Sequence, residues 1–380
     1  MKEIFKYRKS LLADAKAMLK LSNENIDKFR LQQIFNLIEI IDQAIESNSD
    51  EDLDHIKDSY DRIKGIDADK MGDSVLSFHS FDMYAEYHSR KLQNLYQSRE
   101  RGIHGLDTGL VALDDITYGL PKDHLILVAG RPSMGKTSLV ANFVQHAGID
   151  LKLPVAVFSL EVGGCEFVNR MICSITNSSN RKFQDAAMED GDWGNYACKL
   201  GNAKNAPIFV DDTKGLTVEE IRSRSLKLEK NVGPLSLIVV DNLQLIKSSF
   251  RNSASDKRFG DFAEISHGLK LLAREMNVPV VVTSQVNRAV EARPDHRPQL
   301  WDLSESGAIE NDADMVLCLY RDEIYNKATS DKNVAEITVA KNRNGPTGIA
   351  RLRFEGQFFR FSNLPEDGEL PPSDVLGLVG

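Results

Sequence analysis

The sequence predicts an α/β protein in which a mostly parallel sheet is preceded by a small all-helical amino-terminal region and a linker helix. Three observations lead to this prediction. After Gly102, short apolar runs alternate with helical stretches, as in sheets built from parallel strands. A glycine-rich loop at 130–137 lies between one such run and a helical stretch. Before residue 100, the apolar residues recur at helical spacing instead.

The amino-terminal part is predicted to be helical throughout. Residues 4–45 fit two amphipathic helices with a break at 22–25, which form a hairpin that packs on itself or on a copy of itself. Residues 46–75 are rich in acids, which suits a solvated helix face or a linker. A further helix over 81–97 carries an apolar stripe that needs a partner surface. The predicted regions are a helical amino-terminal region at 1–75, a linker with its helix at 76–100, the main domain at 101–365 and a flexible tail at 366–380.

The main domain is predicted to alternate strands with helices. Predicted strands cover 125–129, 155–160, 235–240, 278–283, 315–320 and 336–340. Predicted helices cover 138–145, 166–175, 218–228 and 262–276. Ligands of such sheets bind beyond the carboxyl ends of the strands, so the functional residues are expected there.

Composition limits the class of protein. A formal net charge of -9 argues against a protein that coats nucleic acid with its whole surface, although a narrow basic channel remains compatible with it. The four cysteines share no metal-ligand spacing and suggest a reducing cytosol. No stretch approaches the roughly 20 apolar residues that a membrane span needs. We therefore expect a cytoplasmic protein with no membrane partner.

The strongest motif is the loop at 130–137, which reads GRPSMGKT and fits the phosphate-loop pattern G-x-x-x-x-G-K-[ST]. Its glycines let the backbone N–H groups point at phosphate oxygens, at the positive end of the following helix. Lys136 would reach the β and γ phosphates, and Thr137 would offer its hydroxyl to Mg²⁺. The expected cofactors are ATP and Mg²⁺. The predicted nucleotide-binding residues are Ser133, Gly135, Lys136, Thr137, Ser138 and Asp241.

Three further strand ends carry candidate polar groups. Asp241 ends an apolar strand and would hold Mg²⁺ together with Thr137, in part through water, although an Asp in this position is common in many folds. Asn242 follows it, so the general base must come from another strand end. Glu161 is that candidate, and its alternative role is a helix-capping acid. Gln285 could sense the γ phosphate or the attacking water.

Taken together, six segments of the main domain resemble the RecA-like motor domain of the DnaB replicative helicases. They are the phosphate loop, FSLE at 158–161, DNLQL at 241–245, SQVNR at 284–288, ESGAIE at 305–310 and KNRNGP at 341–346. They follow the family's order and cover about residues 101–361.

The resemblance implies a homohexameric ring with ATP sites between subunits, and 5′ to 3′ movement on single-stranded DNA. Lys136, Glu161 and Gln285 match the catalytic residues on the nucleotide-holding side. Lys341 and Arg343 match the pair that reaches into the neighbour's site, where an arginine stabilises the transferring phosphate. From the residues alone, 341–345 is a strand end followed by a hairpin-like turn, which is also compatible with a solvated basic turn.

The segment 303–310 matches the family's DNA-facing loop. The family usually has an arginine where Ser304 stands, so we expect the grip on DNA to rely on backbone N–H groups or on nearby arginines. The predicted DNA-binding residues are Arg288, Arg293, Glu305, Ser306 and Gly307, with Arg297 nearby.

The expected function is that of a replicative DNA helicase, and a helicase loader and primase are expected as further partners. The front of the chain is short for this family, which suggests a phage or plasmid version with a reduced amino-terminal domain. One alternative is a RecA-like accessory ATPase that loads or remodels replication proteins without unwinding. Another is a non-enzymatic scaffold that binds nucleotide, in which Glu161 is idle.

Overall fold

The computed structural model describes residues 104–248, 257–303 and 307–365, together with isolated helical positions between residues 10 and 92. The chain divides into two compact units, Met1–Ser98 and Arg99–Gly380. In the first unit the described positions are helical, and Leu11 and Ile41 are fully buried. Most of the predicted hairpin and linker helix, and the predicted tail, lie outside the described residues. The predicted division of the chain therefore stays a prediction.

One nine-stranded sheet organises the second unit, in the strand order β3-β2-β4-β5-β1-β6-β7-β8-β9. The strands are Leu125–Gly130 (β1), Val155–Ser159 (β2), Ile208–Asp211 (β3), Leu237–Asp241 (β4), Val280–Gln285 (β5), Met315–Tyr320 (β6), Val334–Asn342 (β7), Gly348–Glu355 (β8) and Arg360–Asn363 (β9). The helices are Val111–Thr117 (α1), Lys136–Gln145 (α2), Gly164–Thr176 (α3), Asn180–Gln184 (α4), Asp190–Ala203 (α5), Val218–Val232 (α6), Lys257–Met276 (α7), Gly307–Asp312 (α8) and Asp322–Tyr325 (α9).

The predicted fold class is confirmed. β1 to β6 pair in parallel, whereas β7, β8 and β9 extend the sheet antiparallel. The central strands are apolar because both faces are covered, by one cluster of buried side chains on each side. The sequence prediction missed β3, β8 and β9. β3 has four residues and is only half-buried, and β8 alternates buried with exposed positions as a one-sided strand does.

Strand register sets where the functional residues lie. Gly130 at the end of β1 is level with Gln285 at the end of β5, and Ser159 at the end of β2 is level with Asp241 at the end of β4. These four residues therefore lie at the carboxyl edge of the parallel strands. β7 runs the other way, so Asn342 at its end is level with the start of β6. The turn that follows β7 lies at the opposite, amino edge.

A buried carboxyl group in α1 makes the stability of the second unit depend on pH. Asp114 is 4% exposed and accepts hydrogen bonds from the Thr108 hydroxyl at 2.9 Å and from the Thr108 N–H. Burial raises the pKa of this carboxyl from 3.8 to about 7, against the lowering effect of the Thr108 hydroxyl. The folded state thus keeps the proton up to about pH 7, whereas the unfolded chain loses it near pH 4. Stability contributed by this group is therefore lost as the pH rises from about 4 to about 7.

Asp114→Asn is expected to raise the free energy of unfolding at pH 8 by about 2 to 4 kcal/mol and to change it little near pH 4, because the amide stays neutral. Urea unfolding at several pH values measures this. Asp115→Asn, at the exposed neighbouring position, is the matched control. A difference between Asp114→Asn and the wild type that does not vary with pH would contradict the assignment.

Candidate functional site

The phosphate loop takes the shape that the motif predicts. It connects the end of β1 to the first residue of α2 and includes two residues with positive φ, Ser133 at 66° and Gly135 at 106°. A Cβ on Gly135 would lie 3.2 Å from the Phe361 ring and 3.3 Å from the Phe354 ring. The backbone conformation at Gly135 therefore favours glycine, and a Cβ there would also crowd the two aromatic rings.

Lys136 lies at the centre of this loop. Its Nζ donates to Gly130 O at 3.0 Å and to Arg131 O at 3.1 Å, and the residue is 9% exposed. Burial lowers the pKa of Lys136, while the nearby carboxylates of Glu161 and Asp241 oppose that shift. The structure thus brings the predicted phosphate-binding lysine and both predicted carboxylates together.

The predicted magnesium pair is in contact. Thr137 Oγ1 donates to Asp241 Oδ2 at 2.8 Å, and Asp241 is 1% exposed. Thr283, on the next strand of the sheet, donates to the other carboxylate oxygen of Asp241. Mg²⁺ prefers oxygen ligands and takes few of them from protein, with the remainder from phosphates and water, so this hydroxyl and carboxylate fit it. Within the described ranges, no group of three or more His, Cys, Asp and Glu side chains is arranged to hold a metal ion by itself.

Glu161 lies on the bend after β2 and is exposed. Its N–H donates to Asp241 O at 3.0 Å, and its Oε2 accepts a hydrogen bond from Asn242 Nδ2 at 2.5 Å. The sequence prediction missed the roles of Thr283 and Asn242 as partners of the two carboxylates. In the sequence, Asn242 is notable only as a residue that cannot act as a base. It lies 81 positions from Glu161, so the sequence does not indicate that the two side chains are in contact.

Gln285 is half-buried at the end of β5, beside the start of the phosphate loop. The preceding residue of β5, Ser284, accepts a hydrogen bond at 3.0 Å from Nε2 of Gln244, which lies in the 3-10 turn after β4. Gln285 thus lies at the carboxyl edge, level with Gly130, and its predicted role stays a prediction.

Lys341 and Arg343 lie at the amino edge. Lys341 Nζ donates to Glu310 O, and Arg343 donates to Asn311 O, both at the end of α8. The N–H of Arg343 also donates to Asp314 O at 2.9 Å. Burial, and then the charge of Arg343, lower the pKa of Lys341. The predicted strand end and turn are present, and the structure separates this basic pair from its own phosphate loop.

The predicted DNA-binding residues have different surroundings. Arg288 and Gly307 are exposed. Arg293 instead forms an ion pair with the buried Asp302 at 2.5 Å, and Arg297 forms one with Glu336 at 2.8 Å. A phosphate would have to compete with these carboxylates for both guanidinium groups. Ser304, Glu305 and Ser306 lie outside the described residues.

The phosphate loop, its lysine and the Thr137–Asp241 pair at the carboxyl edge of a mostly parallel sheet define a P-loop nucleotide-binding domain with the RecA-like arrangement. Residues 105–363 match the model of the DnaB-like helicase C terminal domain. The chain belongs to this family.

Three curated relatives that the chain matches are each named a replicative DNA helicase. A replicative DNA helicase DnaB from Haemophilus influenzae is 45% identical over 270 residues, and one from Pasteurella multocida is 44% identical over 271. These matches cover 70% and 71% of this chain and 57% of each relative. The replicative DNA helicase DnaC of Bacillus subtilis is 42% identical, over 72% of this chain and 61% of the relative. The chain thus spans about three fifths of the length of the curated relatives that it matches.

Two solved structures are similar in both fold and sequence. One, described as an ATPase domain, superposes with a TM-score of 0.71 at 33% identity, covering 76% of this chain and 100% of that domain. A DnaB-like replicative helicase, described together with its interactions with primase, superposes with a TM-score of 0.69 at 31% identity and covers 88% of this chain and 77% of its own. Among the described helices, none is both long and apolar enough to cross a membrane.

Proposed function

We propose that this chain is an ATP-driven replicative DNA helicase, which assembles as a homohexamer, moves along single-stranded DNA and unwinds the duplex at the fork. Membership of the DnaB-like family supports this proposal, as do the names of the relatives. The observation that carries it is the distance, within one chain, between the two proposed halves of the ATP site, which are the phosphate loop and the pair Lys341 and Arg343.

The two halves lie at opposite edges of the same sheet. Gly130, where the phosphate loop begins, ends β1, whereas Arg343 follows the end of the antiparallel β7. The β1 strand between these edges has six residues, which corresponds to roughly 20 Å. An arginine side chain cannot bridge that distance. Since Arg343 and Lys341 cannot serve the loop of their own chain, we propose that they complete the phosphate site of a neighbouring copy, as in a head-to-tail ring.

Within a completed site, the chain's own residues hold and activate the reactants. Lys136 and the loop N–H groups bind the phosphates. Thr137 and Asp241 would hold Mg²⁺, which would supply positive charge next to the phosphates. Glu161 accepts a proton from water as the water oxygen attacks the γ phosphorus and the bond to ADP breaks. Gln285 orients the water or senses the γ phosphate.

The nucleoside would extend into a cavity of about 460 Å³ near the loop. Arg321 lines this cavity, donates to Ser133 O at 3.2 Å and lies over the Phe354 ring, with its guanidinium carbon 4.2 Å from the ring centroid. A cavity of this size suits a small ligand. The site therefore has room for a nucleoside next to Arg321.

Of the predicted DNA-binding residues that the structure describes, Arg288 and Gly307, at the start of α8, are exposed and could contact a phosphate backbone. Glu305 and Ser306 remain part of this proposed contact, and Arg293 joins it only by exchanging Asp302 for a phosphate.

The same proposal includes movement from 5′ to 3′, contacts with a loader and a primase, and a cytoplasmic location. An accessory ATPase that does not unwind is the competing function, and forked-DNA unwinding by the purified chain separates the two.

Shared sites predict complementation between two inactive variants. Lys136→Ala lacks a working loop but supplies Arg343, whereas Arg343→Ala lacks the arginine but keeps its loop. Each alone is expected to lose at least about 100-fold in ATP turnover, and mixing them should restore turnover at interfaces that pair an intact loop with an intact arginine. Arg351→Ala, which removes an arginine on β8 that pairs with Asp331, is the matched control and should keep turnover.

Turnover and mass are measured on the same samples, with and without single-stranded DNA. Hexamers whose turnover rises with DNA and recovers on mixing would support the proposal. Monomers indifferent to DNA would contradict it, and so would a mixture that recovers no turnover.

A further inference from the structure

The side chain of Glu161 is hydrogen-bonded to Asn242, a residue that has no role in the proposed mechanism. Asn242 directly follows β4 and is 3% exposed, and its Nδ2 donates to Glu161 Oε2 at 2.5 Å. Glu161 itself is exposed on a bend, where a long carboxylate side chain samples several rotamers. A hydrogen bond from a buried amide to a carboxylate is among the stronger kinds, so it can select one rotamer.

Backbone hydrogen bonds also join the bend after β2 to the end of β4. The N–H groups of Leu160 and Glu161 both donate to Asp241 O, at 2.6 and 3.0 Å. Glu161 is thus attached through its backbone to Asp241 and through its side chain to Asn242. Within the described ranges, no residue donates to Glu161 Oε1. That oxygen remains available to a water molecule.

We propose that Asn242 is a positioning residue for ATP hydrolysis, and that its amide orients the Glu161 carboxylate toward the attacking water. The inference rests on the proposed function. An amide does not titrate, so Asn242 can hold Oε2 without competing for the proton that the carboxylate must accept. The side chain of Asn242 takes no part in the Thr137–Asp241 contact, although Asp241 is its neighbour in the chain. Its loss should therefore slow hydrolysis without weakening nucleotide binding.

Asn242→Ala is expected to lower kcat about 10- to 100-fold, because a misplaced reacting group costs rates of that order. The KM for ATP and the affinity for a non-hydrolysable ATP analogue should stay within about twofold. In a Glu161→Gln background, Asn242→Ala should lower the residual rate no further, because both residues act on one proton transfer. Asn242→Asp keeps the shape but removes the donor, and should lose at least as much kcat.

Asn142 provides a matched control for folding. It is also buried, and its side chain accepts a hydrogen bond from Phe361 N at 2.6 Å rather than bonding to Glu161. Both Asn142→Ala and Asn242→Ala remove a buried hydrogen-bonding side chain and are expected to lower Tm. Any effect of Asn142→Ala on kcat should, however, be the same in the wild-type and Glu161→Gln backgrounds.

The results separate the inference from the proposed function. Wild-type kcat in both Asn242 variants, or an equal loss in both backgrounds, would overturn the positioning role of Asn242. Wild-type turnover in Glu161→Gln would instead show that the proposed base is wrong, whatever Asn242 does.

Discussion

Glu161→Gln is expected to lower ATP turnover about 100- to 10,000-fold, which is the usual contribution of a general base. The substitution keeps the size of the side chain and can still contact Asn242, but an amide cannot accept the proton of the attacking water. Lys136 and the Thr137–Asp241 pair are unchanged, so ATP should still bind. The expected variant is therefore one that binds nucleotide and DNA but hydrolyses ATP slowly.

Single-turnover hydrolysis and nucleotide affinity, measured on the same preparation, test this result. Glu166→Gln is the matched control, because Glu166 lies five positions further along and pairs with Arg170 in α3 at 2.7 Å. Turnover in Glu161→Gln close to that of Glu166→Gln would favour the scaffold alternative or place the base elsewhere.

Lys136→Ala is expected to weaken ATP binding at least about 100-fold and to reduce hydrolysis to the limit of detection, because one ammonium group both binds the phosphates and stabilises the charge that develops on them. The same change leaves Gly130 O and Arg131 O without their buried donor. The lost hydrogen bonds cost about 1 to 3 kcal/mol, but removal of a buried charge offsets this cost, so the unfolding free energy should change by less than that amount.

Fluorescent-nucleotide titration and urea unfolding measure the two effects separately. Lys152→Ala removes an exposed lysine whose Nζ donates to Asn202 O, and it should change neither. Unaltered ATP affinity in a folded Lys136→Ala would place the phosphates outside the loop and contradict the nucleotide site as described.

The sequence was sufficient to predict the parts of the site that depend on strand ends. Recognisable apolar strands precede or include Lys136, Asp241 and Gln285 near their carboxyl ends. Because the carboxyl ends of parallel strands lie at one edge of a sheet, the sequence alone predicts that these residues are close together. The six predicted strands lie within or overlap β1, β2, β4, β5, β6 and β7. Their apolar runs are long enough to be distinguished from loops.

Partners that meet across the sheet could not be predicted in this way. Asn242 and Glu161 are 81 positions apart, and the hydrogen bond between them depends on side-chain direction. The ion pair between Arg293 and Asp302 is a similar case, since an arginine near a proposed DNA loop has no sequence feature that shows whether its charge is already paired. Whether the named residues carry the chemistry stays a prediction until the variants are made.

The opposite placement of Gly130 and Arg343 on one sheet has a consequence for how activity should scale with the amount of protein. If ATP sites are shared between copies as proposed, a solitary chain has an unmatched loop at one edge and an unmatched arginine at the other. An open row of chains then always leaves one loop and one arginine unused. Only a closed ring gives every chain a complete site. ATP turnover per chain should therefore rise with protein concentration and level off once rings predominate.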